Sequence, residues 1–292
     1  MIDVFMCSDD NYAEFIATTI VSICENTQED IFVHVLSYGI SGKKKQGIYD
    51  SLKRYGDRCK IVFYNDSAEK LSGFVETSYI SKAMYGRFFL PDMVETNKAI
   101  YTDVDVIFHG DIAELFNQEL LEHTIGAVPE TFNEGNGVND ERKCRLGLSD
   151  RHRYFSSGLL LINCSRWRQE NILQKLLNAE KLLRNKLDCP DQDIFNYVFN
   201  ENYKELSSDW AVVNQISRKV KNIKIRHYNG KYKPWNYPQR SVKFIRKFGL
   251  GDQFWNYAKM TAFYHSLAVL AEERQRNSLL LKIYGSIFNI KK

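Results

Sequence analysis

Apolar and polar positions follow two different periods along the first 65 residues. Short apolar runs typical of strands occupy residues 2–7, 31–36 and 61–64. Between them, residues 12–24 and 43–55 carry apolar side chains three or four positions apart, the spacing of one helix face. This β-α-β-α-β order predicts a parallel, doubly wound sheet, and ligands of such sheets bind beyond the carboxyl ends of the strands.

The same periods divide the rest of the chain. A helix is predicted over residues 81–90, ended by Pro91. Further strands are predicted over 98–108, 124–128, 159–163 and 222–228, further helices over 110–121, from Trp167 onward and over 194–199, and a long loop over 131–149. The predicted fold class is α/β, with a mostly parallel, Rossmann-like sheet flanked by helices.

Two aspartates interrupt the apolar stretch from Lys98 to Phe108, which reads K-A-I-Y-T-D-V-D-V-I-F. Side chains two apart on a strand share a face, so the carboxylates of Asp103 and Asp105 are predicted to leave together. Two adjacent carboxylates bind Mg²⁺ or Mn²⁺ together with substrate phosphates. Unpaired carboxylates inside an apolar strand are costly. A metal site and a buried structural acid pair both stay open from these residues alone.

Other polar residues also stand where strands end or helices begin. Asp9 and Asn11 follow the first strand and suit a ribose or base edge, or a plain helix cap. Arg87 can bind a phosphate or a carboxylate through two hydrogen bonds of its guanidinium, or it can have a purely structural role. Asp191 or Gln192 faces a reacting sugar, or the acids of this stretch simply favour the dipole at the start of a helix. The chain has neither G-x-G-x-x-G after its first strand nor a Walker A motif, which disfavours NAD sites and P-loops.

The stretch from His227 to Trp235 combines an inward histidine with Gly230 and two lysines. Glycine allows close backbone approach and lysine supplies charge, a combination that suits a pyrophosphate. Histidine is a common metal ligand, although a lone inward histidine is more often a core residue.

Composition and charge narrow the class of protein. With 292 residues, 44% of them apolar and 26% charged, the chain is expected to be globular, as one large domain with at most an appendage. Its six cysteines form no C-x-x-C pair, so reduced thiols are expected. The N-terminus does not resemble a signal peptide, and no apolar run is long enough to cross a bilayer, which predicts a cytoplasmic protein.

Positive charge is concentrated toward the C-terminus. Net charge is +4, yet residues 210–251 hold eleven Lys and Arg and no acid, which predicts an anionic partner such as phosphate, nucleic acid or a membrane. Residues 274–292 carry five basic residues and apolar side chains at helical spacing. We therefore divide the chain into a domain over 1–265 and a basic amphipathic segment over 266–292, which could lie on an anionic membrane or pack on the domain.

Five stretches, in the same order, resemble those of the family 8 glycosyltransferases, which include bacterial lipopolysaccharide galactosyl- and glucosyltransferases. They are residues 7–12, 101–105, 154–167, 191–193 and 227–235. No single stretch is specific, whereas five in order are strongly so. The resemblance implies a GT-A fold and retaining transfer of a hexose from UDP-glucose or UDP-galactose, with Mn²⁺ or Mg²⁺ as cofactor.

The resemblance also implies roles for single residues. The implied metal ligands are Asp103, Asp105 and His227, and Asp191 and Gln192 would lie beside the donor sugar, Gln192 with a role in the transition state. The implied nucleotide-sugar contacts are Cys7, Ser8, Asp9, Asp10, Asn11, Tyr12, Arg87, Thr102, Asp103, Val104, Ser156, Ser157, Asn229, Gly230 and Lys233. Ser156 departs from the asparagine that is frequent in the family, so the donated hexose stays open.

The implied acceptor is an oligosaccharide or a lipid-linked glycan such as lipopolysaccharide, reached from the inner face of the membrane. Two alternatives come from other classes: a phosphatase of the haloacid dehalogenase kind using Asp103, and a non-enzymatic nucleic-acid-binding protein using the basic residues. The transferase interpretation assigns no nucleic acid partner. It predicts that Asp103→Ala and Asp105→Ala abolish turnover with little loss of stability.

Overall fold

The computed structural model describes residues 1–66, 71, 73–75, 81–213, 220–230, 232–249 and 251–287, with side chains up to residue 277. The strands are β1 (Ile2–Asp9), β2 (Ile31–Tyr38), β3 (Cys59–Asn65), β4 (Lys98–Thr102), β5 (Val106–Phe108), β6 (Ile125–Pro129), β7 (Phe155–Asn163), β8 (Lys204–Glu205), β9 (Val212–Val213) and β10 (Ile225–His227). The helices are α1 (Ala13–Glu25), α2 (Gly42–Leu52), α3 (Gly86–Met93), α4 (Ile112–Phe116), α5 (Val138–Leu146), α6 (Cys164–Gln169), α7 (Ile172–Leu183), α8 (Pro190–Val198), α9 (Val242–Phe248), α10 (Phe254–Ala258) and α11 (Tyr264–Ile287).

A seven-stranded sheet in the order β3-β2-β1-β4-β7-β6-β8 forms the centre of the described structure. β7 runs antiparallel to both of its neighbours, while the remaining pairs are parallel. The carboxyl ends of β1, β4 and β6 therefore meet the start of β7 at one edge of the sheet. The predicted α/β architecture with a mostly parallel sheet is confirmed.

Helices cover both faces of this sheet, because successive strand residues point to opposite sides. Val4 and Met6 of β1 belong to one core with α1 and α10, whereas Phe5 and Cys7 belong to a second core with α3, α6 and α8. Each core is buried, so the strands read as nearly continuous apolar runs.

The predicted strand over residues 98–108 is wrong in one respect that matters for the site. β4 ends at Thr102, and β5 begins at Val106 in a separate sheet of order β5-β10-β9. Asp103 and Asp105 therefore lie in the crossing between two sheets. The apolar residues on either side gave no sign of this break, since both short strands are buried apart from Lys98 at the start of β4.

Several helix boundaries also differ from the prediction. Pro91 lies inside α3, which continues to Met93. The predicted long helix after Trp167 is two helices, α6 and α7, separated by Asn171 with a left-handed φ of 52°. The predicted loop over 131–149 contains α5, and the predicted helix over 110–121 is reduced to α4. The six cysteines are free, as expected.

The first turns of α11 pack on the domain. Leu267 and Ala271 are fully buried in the core that contains α1 and α10. The side chains of residues 278–287, and residues 288–292 altogether, lie outside the described part of the chain, so the predicted amphipathic face is not seen. Among the described residues, no helix combines the length and apolar character that a membrane span requires.

Candidate active site

The carboxyl edge of the main sheet borders one large cleft. Every residue assigned a role by the sequence lines it except Asp10 and Thr102: Cys7, Ser8, Asp9, Asn11, Tyr12, Arg87, Asp103, Val104, Asp105, Ser156, Ser157, Asp191, Gln192, His227, Asn229, Gly230 and Lys233. Asp10 turns away, where its Oδ1 accepts a hydrogen bond from Ser41 N at 2.8 Å. Thr102 is fully buried.

Three potential metal ligands meet in this cleft. The ligand atoms of Asp103, Asp105 and His227 lie within 4.8 Å of one another. His227 Nε2 is 3.2 Å from Asp105 Oδ1 and 3.7 Å from Asp103 Oδ2. The pairing of β10 with β5 places them together, because His227 stands opposite Val106 and Tyr228 N donates to Asp105 O at 2.9 Å.

Charges inside this cluster shift one another's pKa. Burial alone would raise the pKa of Asp105, but Lys233 and His227 hold it well below its usual range. Burial alone would lower the pKa of His227, but Asp105 and Asp103 raise it. For Asp103, burial and the charge of Asp105 outweigh Arg87, so its pKa is raised. Two neighbouring carboxylates resist ionising together, and a divalent cation would remove that conflict.

Arg87 joins this cluster to a second acidic group. Its Nη2 donates to Asp103 Oδ1 at 2.7 Å, and its Nη1 lies 2.7 Å from Asp191 Oδ2. The same Nη1 donates to Ser157 O and Oγ, and Ser157 Oγ donates to Asp191 at 2.7 Å. The guanidinium also covers the ring of Tyr101, 4.6 Å from its centroid. This buried network fixes Asp103 and Asp191 relative to each other.

Glu130 is a site residue that sequence reasoning missed. It follows β6, and its Oε1 accepts from Gln192 Nε2 at 2.9 Å while its Oε2 accepts from Arg142 Nη1 at 2.6 Å. Ser157 N donates to Gln192 Oε1 at 3.2 Å, so both ends of the Gln192 amide are held. Its place directly after a strand whose carboxyl end reaches the cleft is the signal that could have found it.

Asp193, a buried residue of the first turn of α8, holds the backbone that leads into this helix. It is fully buried, and its Oδ2 accepts from the backbone N of Asp188 and Cys189. Tyr154 donates to Asp193 Oδ1 at 2.6 Å. Pro190 occupies the first helical turn, which suits its missing N–H. Asp191 and Gln192 are thereby presented to the cleft from a fixed helix start.

Gly158 makes room for the candidate metal-ligand cluster of Asp103, Asp105 and His227. A Cβ at this position would lie 2.6 Å from His227 Cε1 and 2.7 Å from Asp103 Oδ2. Gly158 O also accepts from Asp103 N at 2.9 Å. The position therefore requires glycine for the close approach of β7 to both ligands.

Lys233, which follows β10, contacts the cluster of Asp103, Asp105 and His227. Lys233 Nζ donates to Asp105 Oδ2 at 2.5 Å and to Tyr228 O at 2.7 Å. Gly230 has a φ of 68°, in the left-handed region, and no atom of the described residues lies within 4 Å of where its Cβ would stand. Trp235 then stacks on Phe15 with centroids 3.8 Å apart, which fixes the end of this loop.

Cys7 is a buried packing residue in the floor of the cleft. Burial raises the pKa of its thiol to about 11. Its Sγ lies 3.2 Å from Tyr101 Oη, which in turn donates to Asp103 Oδ1 at 2.9 Å. A protonated thiol of this kind is a poor nucleophile, so its contribution is to support Tyr101 and Asp103.

Comparisons with known proteins agree with this geometry. The model of the family described as "Glycosyl transferase family 8" matches residues 3–239. A Haemophilus influenzae relative named as a glycosyltransferase is 31% identical over 245 residues, which are 80% of this chain and 73% of the relative. The lipopolysaccharide 1,2-glucosyltransferase of Escherichia coli K12 is 26% identical over 260 residues, 82% of this chain and 74% of the relative.

Solved structures share the fold. The galactosyltransferase LgtC, in complex with donor and acceptor sugar analogues, superposes with a TM-score of 0.78 at 24% identity, covering 89% of this chain and 96% of that one. GlyE of Streptococcus pneumoniae superposes with a TM-score of 0.66 at 24% identity, covering 95% of this chain and 64% of that one. At this level of identity the similarity shows the fold, which is of the GT-A type.

Proposed function

The chain belongs to glycosyl transferase family 8, and on that premise we propose that it is a retaining transferase moving glucose or galactose from a UDP-sugar to a glycan acceptor. Family membership favours a transferase over the phosphatase and nucleic-acid-binding alternatives. The observation that supports the finer proposal best is the meeting of Asp103, Asp105, His227 and Lys233 in one cleft. This set combines hard oxygen ligands, an imidazole and a cation.

The residues present fit a divalent ion. Two carboxylates and one imidazole suit Mn²⁺, with substrate phosphates completing the shell. Asp103, Asp105 and His227 would hold the ion, which when bound supplies positive charge to the diphosphate of the donor. Lys233 would contribute a second positive charge to the same oxygens, released from its present contact with Asp105.

The reaction breaks the bond between the anomeric carbon and the diphosphate and forms a bond from that carbon to the acceptor oxygen. Retention requires the acceptor hydroxyl to arrive on the face that UDP leaves, and its proton passes to the departing diphosphate. Asp191 would stabilise the positive charge that develops on the sugar, because Arg87 and Ser157 hold its carboxylate in place. Gln192 would contact the sugar near the anomeric face.

The donor assignment is tested by incubating the purified protein with a panel of UDP-sugars and measuring release of UDP. We expect release from UDP-glucose or UDP-galactose that depends on Mn²⁺ and stops when EDTA is added. Slow hydrolysis without acceptor is sufficient for this readout. The donor and metal assignments would fail if release were equal with and without the metal, or if only nucleotides other than UDP-sugars were consumed.

Glu130→Ala is expected to lower kcat about tenfold to hundredfold, because a hydrogen bond to a charged group stabilises by ~1.5–3 kcal/mol. The change frees the Gln192 amide, while the residues around the diphosphate are untouched, so the KM for the donor should change little. Steady-state kinetics would check this. Glu134→Ala, which removes a surface partner of Arg153, is the matched control. An unchanged kcat in Glu130→Ala would show that Gln192 needs no such support.

The acceptor and the cellular location are parts of the same proposal. A lipopolysaccharide or other lipid-linked glycan would place the protein in the cytoplasm, at the inner face of the membrane, with residues 266–292 in peripheral contact. One relative, named as a lipopolysaccharide 1,2-glucosyltransferase, supports this class of acceptor. The membrane contact stays a prediction, since most side chains of that segment lie outside the described residues.

A further inference from the structure

One wall of the cleft comes from α11, beyond the residues that the family model matches. Leu270, Arg274 and Gln275 line the cleft, whereas the family match ends at residue 239. Residues four apart lie on the same side of a helix, so Leu270 and Arg274 form a stripe toward the cleft. Leu267 and Ala271, fully buried, anchor this part of the helix to the domain. The wall is therefore part of the folded domain.

Arg274 lies at the end of the cleft that Tyr12 and Trp235 line. Its Nη1 donates to Asn236 Oδ1, and Asn236 ends the short helix Pro234–Asn236 that follows Lys233. Burial raises the pKa of Tyr12, the charges of Lys233 and Arg274 lower it, and those of Asp105 and Asp9 raise it. Tyr12 thus lies within the electrostatic reach of Arg274 and of the metal-ligand cluster.

Tyr12 gives the cleft an exposed aromatic surface. Its ring meets Trp235 edge to face at 6.1 Å and remains 37% exposed. An exposed aromatic face is a surface on which a nucleic acid base stacks. The carboxylates and Lys233 mark the diphosphate end, so the nucleoside would extend toward Tyr12 and on to α11.

Gln275 adds an acceptor beside the arginine. Its Oε1 is buried and accepts no hydrogen bond from any described residue. Buried polar atoms are nearly always paired. Because the Gln275 side chain also lines the cleft, its amide would have to turn toward the cleft for Oε1 to meet a partner there. Arg274 and Gln275 together offer donors and an acceptor.

We propose that Arg274 and Gln275 contact the nucleoside part of the donor, Arg274 donating to a carbonyl oxygen of uracil and Gln275 Oε1 accepting from an N–H or hydroxyl. Uracil presents one N–H between two carbonyl oxygens. Cytosine keeps one of these oxygens, O2, but replaces O4 by an amino group and the N–H by an unprotonated nitrogen, so Arg274 would discriminate between the bases by donating to O4. α11 would thereby favour uridine over cytidine nucleotides. This inference rests on the proposed use of a UDP-sugar.

The test measures binding of uridine, UMP and UDP to the full chain and to Arg274→Met in the presence of Mn²⁺, with uridine measured by competition against UDP. A contact to the base or ribose predicts a loss of affinity of roughly fivefold to twentyfold, equal for all three ligands. Preference for UDP over CDP should fall as well. Arg276→Met is the matched control, because Arg276 is exposed on the same helix and does not line the cleft.

An equal loss in Arg274→Met with normal binding in Arg276→Met would support the proposal. Unchanged affinity in Arg274→Met would overturn it. A loss seen with UMP and UDP but not with uridine would also overturn it, since Arg274 would then meet a phosphate. If the unmodified chain bound none of the three ligands, the proposed donor itself would be wrong, and this inference would fall with it.

Discussion

Asp105→Asn is expected to reduce turnover of the UDP-sugar about 10³-fold or more while the protein remains folded. The substitution removes one of two carboxylates that would hold the metal, and electrostatic stabilisation of a leaving group by a bound metal is worth several kcal/mol, about 4 kcal/mol for this factor. It also leaves Lys233 without its carboxylate partner and relieves His227 of the charge that raises its pKa. Turnover and Mn²⁺ binding by calorimetry would be measured together.

Asp57→Asn provides the control for this experiment, because Asp57 is exposed in the short helix Lys53–Arg58, which does not line the cleft. Normal turnover in Asp105→Asn would show that the cluster is a structural ion network. Both carboxylates also pair with a largely buried cation, Asp103 with Arg87 and Asp105 with Lys233, so stability should be measured for both variants. Removing one partner of a buried pair costs ~3–5 kcal/mol, so Asp103→Ala should lower stability as well as turnover, unlike the expectation from sequence alone.

Gly158→Ala is expected to lower both Mn²⁺ affinity and turnover by about a hundredfold, as when outer-shell support of metal ligands is lost. The added methyl group would lie 2.6 Å from His227 Cε1 and 2.7 Å from Asp103 Oδ2. Neither neighbour can move cheaply, because β10 carries His227 and both Arg87 and Tyr101 hold Asp103. The ligands would have to separate for the methyl group to fit.

Gly42→Ala is the control, since within the described part of the chain nothing lies within 4 Å of where its Cβ would stand. Metal affinity by calorimetry and turnover under saturating donor would be compared in the two variants. If Gly158→Ala bound Mn²⁺ as tightly as the unmodified protein, the close packing of β7 on the ligands would be irrelevant to the site.

Most of the fold could be predicted from periodicity, because buried strands and amphipathic helices leave local patterns. The break after Thr102 could not, since the residues on both sides are equally apolar and only tertiary pairing with β10 separates them. The split at Asn171 and the helix α5 escaped prediction for a related reason. α5 is polar on most sides, so its residues show no apolar stripe.

The candidate site likewise contains residues that local sequence identifies and residues that only the fold brings to the cleft. The residues that were assigned a role within the family-like stretches line the cleft, apart from Asp10 and Thr102. Glu130, Arg274 and Gln275 lie outside those stretches and reach the cleft only through the fold. Arg87 was identified, but not its function as a bridge between Asp103 and Asp191, which depends on distances that no spacing encodes.

That bridge makes tolerance to mutation uneven across the site. Changes at Arg87, Ser157 and Asp191 should be strongly epistatic. Removing either charged partner leaves the other buried and unmatched, and removing the Ser157 hydroxyl takes a hydrogen bond from both. Ser156 lies outside this network, and its hydroxyl contacts only Gly158 N among the described polar atoms. Under the proposed function, variation at Ser156 would therefore change contacts to the donated hexose while leaving the network of Arg87, Ser157 and Asp191 intact.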